Sequence, residues 1–71
     1  MADIEALKEK IDSSGMAFSF IAKSSGILRE TLYNRLNGIG DFTATEIVGL
    51  SRTLRLTKNE RDNIFLNEKL N

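Results

Sequence analysis

The sequence predicts a compact all-α domain of five helices. Three observations point there. Apolar residues recur at helical spacing along most of the chain; glycines, not prolines, mark the breaks; and no stretch alternates as a strand would. With 71 residues the chain is long enough for a single domain, taken as residues 1–71, whose core is small.

The first helix is expected over residues 4–13. Asp3 serves as N-cap, and Ile4, Leu7 and Ile11 form the inward stripe. Glu5, Lys8, Glu9 and Asp12 fall on the solvated side. The second is expected over residues 18–25, with Phe18, Ile21, Ala22 and Ser25 on one face. The third is expected over residues 29–37, anchored by Leu32 and Leu36. Gly15, Gly26 and Gly38 follow these three segments at intervals of 11 and 12 residues, where left-handed caps or tight turns belong. Thr43 and Glu46 read as a capping box opening the fourth helix, with Phe42 and Ile47 placed as a hydrophobic staple. Ile47, Leu50, Ser51 and Leu54 carry that stripe to about Arg55. Gly49 costs roughly 1 kcal/mol against alanine in a helix interior, and close approach of a neighbouring helix is one reason a chain accepts that cost. Thr57 and Glu60 form a second capping box for the fifth helix, whose Ile64, Phe65 and Leu66 face inward. The final NEKLN is expected to fray.

Composition narrows the functions. The chain has no cysteine and no histidine, which removes disulfides, the usual zinc sites and the common nucleophile–base pairs. No catalytic residues, metal site or cofactor are expected, so the chain does not read as an enzyme. A cysteine-free chain with neither a signal-peptide core nor a membrane-spanning run is expected in the cytoplasm. Ten basic residues balance ten acidic ones. They are unevenly placed. Residues 1–15 carry Lys8 and Lys10 against Asp3, Glu5, Glu9 and Asp12, a net of −2, whereas residues 16–42 and 43–71 each carry a net of +1. Such weak basicity opposes tight DNA binding by a lone monomer, since phosphate contacts supply most of that affinity.

Residues 17–38, AFSFIAKSSGILRETLYNRLNG, carry a specific pattern. Ala22 is small where two helices cross, Gly26 permits a tight turn, and Leu32 anchors the second helix of the pair. Ile21-Ala22, Gly26-Ile27, Thr31-Leu32 and Asn37-Gly38 fall at a spacing that resembles the helix-turn-helix of the Cro/C1-type, lambda-repressor-like family, here over about residues 17–37. The following DFTATEIVGLSRTLRLT resembles the family's fourth helix, so the likeness spans nearly the whole chain. It implies a recognition helix at residues 29–37 that enters the major groove of double-stranded operator DNA, usually as a homodimer. On that reading Arg29 pairs with guanine, Asn34 with adenine, and Glu30 with cytosine N4, while Tyr33 meets a thymine methyl or a phosphate. Lys23 and the main-chain amides of Asn37 and Gly38 resemble phosphate clamps. The plain alternative for each is a solvated helix face, where Arg29–Tyr33 and Glu30–Asn34 are ordinary i, i+4 neighbours.

Three positions depart from the family. Ala17 and Leu28 stand where its members cap the two helices with polar residues, and Phe18 stands where many carry glutamine. Losing a polar cap costs about 1 kcal/mol. With Phe20, Tyr33 and Met16 these residues suggest an apolar patch beside the DNA-reading face, of the kind that anchors protein contacts. The competing reading folds Phe20 against the first or fifth helix and tucks Leu28 under Leu32.

The sequence is also similar to the small modulator-of-repression proteins, the antirepressors of temperate phages of lactic-acid bacteria. That similarity implies a phage repressor protein as partner and a role in the lysis–lysogeny switch. The expected function is an antirepressor that binds the repressor through Phe18, Phe20, Leu28, Arg29 and Tyr33 and acts with it on operator DNA. The alternative is a stand-alone Cro-like repressor using Lys23, Arg29, Glu30, Tyr33, Asn34 and Asn37 on DNA. An antitoxin of this fold is a third reading, for which the sequence has no evident toxin-blocking segment.

Overall fold

A computed structural model of the chain describes residues 2–66. Five helices follow one another: α1 (Ile4–Ser13), α2 (Phe18–Ser25), α3 (Arg29–Leu36), α4 (Ala44–Thr53) and α5 (Lys58–Phe65). No strand occurs among the described residues. None of their helices is long and apolar enough to cross a membrane.

Three of the five helices start on side-chain caps. Asp3 accepts the Ala6 amide at 3.1 Å, and Thr43–Glu46 and Thr57–Glu60 both close as reciprocal capping boxes. Phe42 and Ile47, at the staple positions, both pack against the core. The Phe42 ring also meets Phe65 edge-on, with centroids 5.3 Å apart. Leu7, Ile21, Leu32 and Leu50, one from each of α1 to α4, are fully buried. Ile64 and Phe65 complete the core from α5. Burying side chains of this size contributes about 1.5–3 kcal/mol each.

The two ends of the described chain meet. The Asp3 amide donates to the Ile64 carbonyl at 2.6 Å, and Lys10 pairs with Glu60 across the same two helices. Lys10, followed by the Thr57 amide, holds the Glu60 carboxyl below the usual carboxylate range. The contribution of this pair is therefore present at neutral pH and is lost as pH falls through the lowered value.

At Gly49, helix α4 crosses α2 against its bare backbone. An added Cβ at Gly49 would stand 2.1 Å from the Ser25 carbonyl oxygen, so the glycine is the condition for this crossing. The crossing is fastened by hydroxyls. Ser25 Oγ donates to Thr53 Oγ1 at 3.1 Å, and Thr53 Oγ1 donates to Ser24 Oγ at 3.0 Å. Arg52 donates to the Ser24 carbonyl at 3.2 Å, placing its charge on the negative end of α2.

Several expected boundaries change. Asn37 is the C-cap of α3 and not its last helical residue, and α4 stops at Thr53 instead of reaching Arg55. The reason at α4 is a left-handed cap made without glycine: Arg55 takes φ +55°, which lets the Leu56 amide reach the Ser51 carbonyl at 2.9 Å. Leu66 is exposed and does not face inward, because the helix ends at Phe65 and the chain turns at the cap. The NEKLN segment lies outside the described residues.

Ser51 sits within the α4 stripe with its hydroxyl buried and without a hydrogen-bond partner among the described residues. Ser51→Ala removes that group and adds a better helix former. The expected result is a gain of about 1 kcal/mol, read as a higher urea midpoint at unchanged slope. A lower midpoint would show that the hydroxyl has a partner that matters.

Candidate functional site

The α2–α3 pair is the part of the molecule that combines a rigid frame with unusual surface chemistry. Its frame is set by Gly26. At φ +74° this residue ends α2, its amide donates to the Lys23 carbonyl at 3.1 Å, and the Ile27 amide returns to the Ala22 carbonyl at 2.9 Å. Ile27 and Ala22 are both buried, so the turn is also a core contact. Leu32 and Leu36 fix the inner face of α3, which leaves the other face outward.

The start of both helices lacks a side-chain cap. Ala17 and Leu28 have extended backbone, as N-caps do, but offer no acceptor to the first-turn amides. Leu28 does not tuck under Leu32: it is 78% exposed. Phe20 is 54% exposed and stands outside the core cluster, and Tyr33 is 62% exposed. Phe18 differs. It is half-buried and packs on the core, as does Met16, so these two offer at most an edge to the surface. The apolar groups presented in full by α2 and α3 are thus Phe20, Leu28 and Tyr33.

Lys23, Arg29 and Glu30 are exposed, and none makes an ion pair among the described residues. Asn34 is half-buried, and its carbonyl accepts the amides of Asn37 and Ile39 at 3.0 and 2.9 Å. The end of α3 turns its donors inward. The Asn37 amide also reaches the Tyr33 carbonyl, the Gly38 amide donates to the Arg35 carbonyl at 3.1 Å, and Asn37 Nδ2 donates to the Tyr33 carbonyl at 2.8 Å. Of the groups expected to clamp phosphate, the Asn37 and Gly38 amides are therefore already engaged within the chain, whereas the Lys23 ammonium stays exposed.

Two features of the region have little local sequence signal. Arg35 spans from α3 to α4, donating to both carboxylate oxygens of Glu46 at 3.2 and 3.3 Å and to the Ile39 carbonyl at 3.4 Å. Exposed Ile39 and Val48 add apolar surface beyond α2 and α3. An arginine eleven residues before a glutamate carries no periodic signature, although the two glycines around Ile39 do mark a constrained loop.

Among the described residues no group of three or more acidic, histidine or cysteine side chains is placed to hold a metal ion. Comparison with protein-family models, with curated proteins and with solved structures returned no match.

Proposed function

We propose that the chain is a phage transcription regulator with a lambda-repressor-like helix-turn-helix fold, acting as an antirepressor. It binds a partner phage repressor through the α2–α3 face and acts with it on operator DNA in the lysis–lysogeny switch. The fold reading is supported by the order of five helices, the glycine turn between α2 and α3, and the anchoring of α3 by Leu32 and Leu36.

One observation carries the choice of a protein partner. Phe20, Leu28 and Tyr33 are exposed on the two helices that a DNA reader would press against the duplex. Apolar side chains there bring desolvation without phosphate contacts, whereas aromatic groups with exposed faces are favoured anchors for another protein. The engaged amides of Asn37 and Gly38 favour the same reading.

A second reading, a stand-alone Cro-like repressor, is favoured by the outward, unpaired Lys23 and Arg29. One experiment separates the two: a salt-controlled titration of candidate operator DNA with and without the candidate repressor. Operator binding altered only when the repressor is present is the expected result. Tight, sequence-dependent binding by the chain alone, weakened about tenfold or more by Arg29→Ala or Asn34→Ala, would replace it with the Cro-like reading.

A further inference from the structure

We propose that the α3–α4 loop is a second contact surface for the same protein partner, with Ile39 as an apolar anchor and Asp41 as its charged rim. This inference rests on the antirepressor reading and extends it to residues outside α2 and α3.

The loop is built to hold Ile39 outward. Gly38 and Gly40 on either side take φ +82° and +80°, a backbone that other residues rarely adopt. The Ile39 amide is fixed by the Asn34 carbonyl, and its own carbonyl accepts from Arg35, which Glu46 holds in place. A Cβ on Gly40 would fall 2.4 Å from Arg35 Nη1, so the guanidinium lies directly against the loop. A cleft of about 420 Å³ opens beside it, lined by Ile4, Phe42, Ile47 and Phe65 together with Arg35 and Asp41. Ile39 is not in that wall and remains 60% exposed. The chain thus keeps a β-branched side chain exposed beside a cleft that other residues of the same loop line. A group preorganised in this way loses little conformational entropy on binding.

Charge indicates the occupant. Arg35 is neutralised by Glu46, and among the described residues no ion pair reaches the exposed Asp41. The uncompensated charge of the loop is therefore a carboxylate. It repels phosphate, and it complements a lysine or arginine beside an apolar pocket on a protein surface. The loop is also tied to the end of α3, since Asn37 and Ile39 bond back to the carbonyls of Tyr33 and Asn34.

The test is calorimetric titration of the purified candidate repressor with the parent chain and with Ile39→Ser, Asp41→Asn and Phe20→Asp. Each variant is first checked for a parent-like thermal melt. Ile39→Ser is expected to weaken binding about tenfold. Asp41→Asn is expected to weaken it about threefold and to flatten its salt dependence. If Phe20→Asp loses binding while both loop variants bind as the parent does, the loop inference is wrong and the antirepressor reading stands. If no variant differs from the parent, or the parent itself does not bind, both fall. If Ile39→Ser instead weakens binding to operator DNA alone, the loop is a nucleic-acid contact and the inference is overturned.

Discussion

Gly49→Ala is expected to destabilise the domain by about 2–3 kcal/mol and to lower its Tm by on the order of 10 °C. Alanine by itself favours a helix over glycine by about 1 kcal/mol, so a purely local account predicts the opposite sign. The packing decides it. The new methyl would sit 2.1 Å from the Ser25 carbonyl oxygen and 3.2 Å from the Ser25 Cα, and neither is the end of a flexible side chain. Relief requires α2 and α4 to separate. That movement stretches the Ser25–Thr53 hydroxyl bond and shifts the residue next to the Gly26 turn. A domain of this length has only a few kcal/mol in total, so the loss is a large fraction. Thermal and urea unfolding check it. A variant as stable as the parent would mean that the helices separate at little cost and that the crossing is looser than its geometry states. Because α2 carries Phe20 and leads into α3, affinity for the proposed partner is expected to fall along with stability.

Phe20→Asp is expected to do the reverse: weaken binding of the proposed partner repressor by about a hundredfold or more while leaving the fold within about 1 kcal/mol. The ring is more than half exposed and is no part of the buried cluster, so the fold has little to lose. An aspartate in its place would carry a charge into a desolvated contact, which is costlier than removing the ring. Phe18 makes the informative contrast. It packs on the core, so Phe18→Asp confounds binding with unfolding. Calorimetric titration paired with a thermal melt reads both quantities. Parent-like affinity in a folded Phe20→Asp variant would remove the central anchor of the proposed face.

The parts of the fold that were legible in the sequence are those set by short-range chemistry. A capping box is complete within four residues, so Thr43–Glu46 and Thr57–Glu60 announce themselves, as Asp3 does. Gly15, Gly26 and Gly38 are legible because left-handed backbone is cheap only for glycine, and all three have positive φ. Gly49 shows its cost in the sequence and hints at a close neighbour, but which atom stands opposite is a tertiary fact. Arg55 shows the limit from the other side: it takes the left-handed position with a residue that gives no local sign of it. Of the positions on the second and third helices that the sequence marked as a candidate site, Phe20, Lys23, Arg29, Glu30 and Tyr33 are outward, whereas Phe18 and Asn34 are half-buried. Whether Phe20 and Leu28 were covered was not legible, because in a small core that depends on where the first and fifth helices lie. Ile39 escaped for the same reason, since its exposure is set by a clamp from Arg35 and Glu46 that joins two helices.

The junction between the Asp3 amide and the Ile64 carbonyl makes the described chain, topologically, a ring closed by a hydrogen bond. A ring has no privileged starting point. Its first helix is held by its last, so neither can be trimmed away as a dispensable end, and loss of either opens the whole circle. Bringing together residues so far apart in sequence carries an entropic cost that grows only slowly with the length of the loop closed. A domain this small with its two ends joined is expected to unfold in one cooperative step, with thermal transitions followed by different probes coinciding.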